Sequence, residues 1–153
     1  MRADLGRETV EGYLHLLLEQ IAKNRKINEL AKQERDAIAA GNIALVMESD
    51  AIRNGIIAQL HSLQTEMDPY LKELPVMLGC MPSQLKDQIA TVSIRLEEII
   101  KDTIAIEREN EINLQKLKEG IGERLKEIGK GKQALSGYKS PSQKKQKLFN
   151  GRA

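Results

Sequence analysis

The 153-residue chain reads as an all-α protein: an antiparallel helical bundle or coiled coil of three main helices, the C-terminal one long. Composition and periodicity point there. Charged residues make up 30% and aromatic residues 3%, with no Trp and one Phe, too few large β-formers for a sandwich or barrel and the profile of long helices. Apolar residues recur every three or four positions over most of the chain, which keeps them on one face of a helix. The length suits one domain with a real core.

The first helix is expected from about Glu8 to Ala39. Val10, Leu14, Leu17, Ile21, Leu30 and Ile38 mark its buried face, with Leu18 and Ile27 beside it; Thr9, Gly12 and Asn24 weaken it slightly. Gly41-Asn42 suits a helix C-terminus followed by an N-cap. The second helix is expected from about Ile43 to Met67 through Leu45, Val46, Ile52, Ile56, Leu60, Leu63 and Met67, with Gly55 inside it. Pro69, Pro75, Gly79 and Pro82 then read as a loop or a few short turns.

Ser83 is the expected N-cap of the third helix, although no Glu follows three residues later to complete a capping box. The period of about 3.6 passes through Leu85, Ile89, Val92, Leu96, Ile99, Ile100 and Ile104 or Ile106, then Asn110, Asn113, Leu117, Ile121 and Ile128. Continuous to Leu135, this helix is roughly 80 Å long at 1.5 Å per residue, against roughly 40–50 Å for each of the others. A hairpin of the first two against its N-terminal half leaves its C-terminal half uncovered; an end-to-end arrangement would bury it. The Gly41-Asn42 corner favours the hairpin.

That C-terminal half carries the stripe Leu114, Leu117, Ile121, Leu125, Ile128 and Leu135, interrupted by Gly120, Gly122, Gly129 and Gly131. Each interior Gly costs a helix roughly 0.8–1 kcal/mol relative to Ala. The segment has strong reason to bury a face and weak reason to be a helix alone, which marks a binding segment. Residues 1–129 are expected to form the helical domain, with the last helix reaching about 135. Residues 136–153 read as a basic, disordered tail.

Charge is divided along the chain. Residues 130–153 hold seven Lys or Arg and no acid, so residues 1–129 carry a net −5. The tail could contact phosphates through counterion release, but with one Phe for stacking and an acidic body behind it, a solubilising tail is the stronger reading and nucleic acid is a disfavoured partner. Cys80 is the only cysteine, which excludes an internal disulfide and fits a reducing compartment. The N-terminus lacks a signal-peptide pattern, and no run approaches the ~20 apolar residues that span a bilayer. A soluble, cytoplasmic protein is expected.

Candidate chemistry is sparse. His15 and His61 fall on different helices, outside any His-x-x-x-His or Glu-x-x-His pair that would suggest a metal. Glu97-Glu98 and Glu107-Glu109-Glu111 read as a solvated face with partners such as Glu97–Lys101. Gly129-Lys130-Gly131-Lys132 lacks the spacing and preceding strand of a phosphate loop. No enzyme activity and no cofactor are expected.

The run Gln33-Glu34-Arg35-Asp36-Ala37-Ile38-Ala39-Ala40-Gly41-Asn42, then Leu45, Arg53, Ile56-Ile57 and Leu60, resembles the first helical hairpin of FlgN-type flagellar export chaperones. Asn110-Glu111-Ile112-Asn113-Leu114 with Leu117 resembles that family's Asn-x-x-Asn followed by leucines, and Tyr138 stands where its C-terminal tyrosine does. Departures are Asn42 for Asp, Arg53 for Lys, Leu114 for Gly, and the basic extension after Pro141. The resemblance covers most of residues 8–140 and rests on short motifs. It implies a non-catalytic cytoplasmic chaperone that binds the C-terminal helices of hook–filament junction proteins, prevents their premature polymerisation and delivers them to the export gate. Client contact would then fall to Asn110, Asn113, Leu114, Leu117, Ile121, Leu125, Ile128 and Leu135, and export-gate contact to Tyr138. Asn110 and Asn113 equally suit register-setting polar positions in a core. The alternative to a chaperone is a structural coiled coil or adaptor that self-associates through the same stripe.

Overall fold

The computed structural model describes residues 2–136. They form three α-helices, α1 Arg2–Ala39, α2 Ile43–Cys80 and α3 Ser83–Ser136, an all-α arrangement with a long C-terminal helix. The chain divides into two units, Met1–Ile112 and Asn113–Ala153.

In the first unit α1 and α2 form the expected hairpin, and its corner has a complete physical account. Gly41 takes φ +69°, a left-handed conformation that costs glycine no Cβ clash. It lets Asn42 N–H reach Ala37 O (2.8 Å) and Gly41 N–H reach Ile38 O (3.0 Å), the bonding pattern of a Schellman motif. Asn42 then caps α2, its Oδ1 accepting from Leu45 N–H at 3.2 Å. One dipeptide ends one helix and starts the next.

Two boundaries differ from the sequence reading. The second helix does not stop at Met67; it passes through Pro69 and Pro75 to Cys80. Each proline removes an amide donor, at a cost of order 3 kcal/mol in a helix interior. Packing offsets that cost: Met67 joins Val10, Tyr13, Leu16, Leu17, Leu63 and Ile89 in the main core, with Tyr70, Leu74, Met77 and Met81 packed against it. Full burial of one such side chain contributes roughly 1.5–3 kcal/mol. The second difference is at the start of α3. Pro82, not Ser83, is the residue whose carbonyl receives the first helical bonds, from Leu85 N–H (3.1 Å) and Lys86 N–H (3.2 Å), so Ser83 lies inside the helix.

Direction follows from residue pairs. Tyr13 meets Tyr70 with ring centroids 6.5 Å apart, and Lys23 Nζ donates to Gln59, so α1 and α2 are antiparallel. Asn28 donates to Thr103 and Asn110 to Ala31, so the N-terminal part of α3 runs parallel to α1. Leu85, Ile89, Val92 and Leu96 bring that part into the core, and Ile106 rather than Ile104 continues the buried side. On α1 Ile27 is buried and Leu18 exposed; on α2 Leu45 and Ile52 are exposed. Burial pushes the Tyr13 phenol above its ordinary pKa.

Candidate interaction surface

The core just described is apolar at the end of the first unit that holds Val10, Tyr13 and Met67. Toward the Gly41-Asn42 corner, polar groups join buried Leu30, Ile38, Val46 and Ile106. Asn28 Nδ2 donates to Asp102 Oδ2 (2.8 Å) and Thr103 Oγ1 (2.9 Å), while Thr103 donates back to Ile99 O at 2.8 Å. Arg53 grips Glu107 with both Nε and Nη2, the latter bond 2.9 Å long. Glu34 is 8% exposed. Burial, then the Asp50 carboxylate beside it, raise its pKa, against the opposing pull of Arg53; Glu107 and a hydrogen bond with Asp50 raise it further. Donating to the Glu107 carboxylate holds the Arg53 guanidinium more firmly protonated still.

Asn110 belongs to this polar seam. It is 3% exposed, and its Nδ2 donates to Ala31 O at 2.8 Å. Of its two readings, this buried position suits the register-setting one. Glu107 likewise leaves the solvated face expected for it, because its partner sits on α2. Arg95 and Glu98 on α3 form an exposed ion pair at 3.8 Å. Sequence reasoning did not identify Asn28, Glu34, Asp50 and Thr103 as a group; the signal available was polar residues at positions where the helical period demands apolar ones.

The other expected contact residues lie in the second unit. Asn113, Leu114, Leu117 and Ile121 are half-buried. Leu125, Ile128 and Leu135 are 64%, 54% and 62% exposed. The spacing that puts Leu85, Ile89, Val92, Leu96, Ile99, Thr103, Ile106 and Asn110 on one side of α3 continues in phase through Leu114, Leu117, Ile121, Leu125, Ile128 and Leu135. Within the second unit these residues share one helix face, and its C-terminal part carries exposed leucine and isoleucine. Contiguous exposed apolar side chains of this kind mark interaction sites. Tyr138 and the basic tail lie outside the described residues.

His15 is exposed and pairs with Glu19 at 3.2 Å; His61 and Cys80 are exposed as well. Among the described residues no group of three His, Cys, Asp or Glu is placed to hold a metal ion, and no helix is long and apolar enough to cross a membrane. No protein-family model, curated protein or solved structure matches this chain.

Proposed function

We propose that this chain is a helical client-binding protein, and in its most specific form a cytoplasmic export chaperone of the FlgN type, acting on the C-terminal helices of hook–filament junction proteins. The observation that carries the reading is the exposed stripe Leu125, Ile128 and Leu135, which helical spacing places on one face with Leu114, Leu117 and Ile121. An amphipathic client helix laid on that stripe has its own apolar face covered, and a covered face cannot polymerise. Gly120, Gly122, Gly129 and Gly131 lower the helix stability of the segment, so part of the gross binding energy goes to ordering it, and release is correspondingly easier. The reading assigns the chain no reaction and no cofactor. Asn113 and the stripe from Leu114 to Leu135 are the contact residues, with Tyr138 reserved for the export gate.

Amide hydrogen exchange across residues 110–136 tests it, in the free protein and with hook–filament junction proteins added. Fast exchange that slows with one of them supports the chaperone. Slow exchange already in the free protein, together with a dimer or larger mass, replaces it with a self-associating coiled coil.

A further inference from the structure

The charges and glycines around the stripe are not randomly placed. At about 100° per residue, Lys118, Arg124 and Lys132 are the charged residues nearest the line of Leu114, Leu117, Ile121, Leu125, Ile128 and Leu135. Glu119, Glu123 and Glu127 stand farther from that line, on the side of the helix that also carries Lys116, Lys126 and Lys130. Residues 113–153 as a whole carry eleven Lys or Arg against three acids, a net +8, whereas residues 1–112 carry thirteen against nineteen, a net −6. The four glycines take the two borders of the stripe, Gly122 and Gly129 on one side and Gly120 and Gly131 on the other. A Cβ built on any of the four meets nothing within 4 Å, so packing within the chain does not explain why these positions lack one.

Resting on the docking reading above, we infer that the stripe's occupant is an α-helix of another protein whose apolar face is bordered by acidic side chains, seated close against the glycine borders. Border positions of paired helices set partner choice through their charges, and Lys118 and Arg124 there, with Lys132 on the line itself, are all cations. A second copy's stripe carries the same cations, so homotypic pairing sets like charge against like. Leucine and isoleucine fill the contact line and set an interaxial distance of about 8–10 Å, while the glycine borders leave room for the occupant's flanking side chains to sit close against the backbone. An anionic lipid surface would answer the charge but gains nothing from the glycines, which only weaken a helix lying on it.

The test uses the full chain and two synthetic helical peptides with the same leucine face, one bordered by glutamates and one by lysines, with phosphatidylserine vesicles as a third probe. The glutamate peptide should bind at least about tenfold more tightly than its twin, about 1.4 kcal/mol, with affinity falling as salt rises. Lys118→Glu with Arg124→Glu should reverse that preference. Gly122→Ala with Gly129→Ala should raise helix content yet weaken the glutamate peptide; preorganisation alone would tighten it, so tighter binding overturns the close approach. Equal affinity for the two peptides overturns the acidic border and leaves the docking reading standing. No binding by either overturns the inference, and if residues 113–136 also exchange slowly in the free protein, the docking reading falls with it. Binding to vesicles in preference to both peptides assigns the stripe to a membrane surface instead.

Discussion

Arg53 on α2 holds Glu107 on α3 through two guanidinium nitrogens, and it is the cation among three carboxylates, since Glu34 and Asp50 also act on it. Two parallel bonds from a planar fork are the strongest form of this pairing. The two side chains are 31% and 25% exposed, so solvent screens part of the attraction. Arg53→Ala should destabilise the protein by about 1–2 kcal/mol, near the low end for a lost charged hydrogen bond, because three acids then face one another without it. Glu107→Gln should cost less, since it also removes a negative charge from Glu34 and Asp50. Urea denaturation of both variants orders them; equal losses would show that the surrounding carboxylates do not count.

Glu34 makes the stability of the first unit depend on pH. Its folded pKa lies above its unfolded value, with burial the leading cause. The stability linked to it is therefore fully present below the unfolded pKa of about 4.3 and is lost as pH rises through the folded pKa. Glu34→Gln, neutral at every pH, should flatten that limb and melt higher than the natural protein at pH 7. Thermal melts between pH 4 and 8 check the sign, and a lower melting temperature at pH 7 would show that the Arg53 attraction outweighs the burial.

Asn110 is buried with one half of its amide bonded to Ala31 O and Oδ1 without a hydrogen-bond partner. A buried acceptor left unpaired costs free energy that an apolar replacement does not. Asn110→Leu should therefore leave stability unchanged or raise it by about 1–2 kcal/mol, measured by urea denaturation, while removing a polar contact that fixes the register of α3 on α1. A loss of more than about 2 kcal/mol would assign the amide a larger share of the fold than its single bond implies.

The helix corner was readable because its determinants are adjacent: Gly41 and Asn42 act on bonds within five residues of themselves. The course of α2 through Pro69 and Pro75 was not, because what holds it is Met67 and its neighbours against Val10, Tyr13 and Leu17, far away in sequence. Local breaker signals state a cost and are silent on the packing that offsets it. The polar seam was hidden for the same reason. Asn28 and Thr103 are 75 positions apart, Arg53 and Glu107 are 54 apart, and no helical spacing rule reaches across them. The stripe from Leu114 to Leu135 was legible as a helix face because periodicity is local.

Three glycines in the first unit should respond to alanine in three different ways, since each lacks a Cβ for a different reason. Gly41 sits at φ +69°, where a Cβ strains the backbone, so Gly41→Ala should destabilise by about 1 kcal/mol or more. Gly55 lies within α2 with nothing within 4 Å of an added Cβ; Gly55→Ala should stabilise by about 0.5–1 kcal/mol through helix propensity alone. At Gly12 the new Cβ would stand 3.0 Å from the Tyr70 hydroxyl oxygen and 3.3 Å from Cε1. Tyr70 packs against the main core and contacts the Tyr13 ring, so it yields only by disturbing that core. Gly12→Ala should therefore lose its propensity gain and end neutral or destabilised, and Gly12→Ala in a Tyr70→Leu background should recover it. Chemical denaturation of the single and double variants gives the coupling directly; additive effects at positions 12 and 70 would show that the tyrosine does not rest on this glycine.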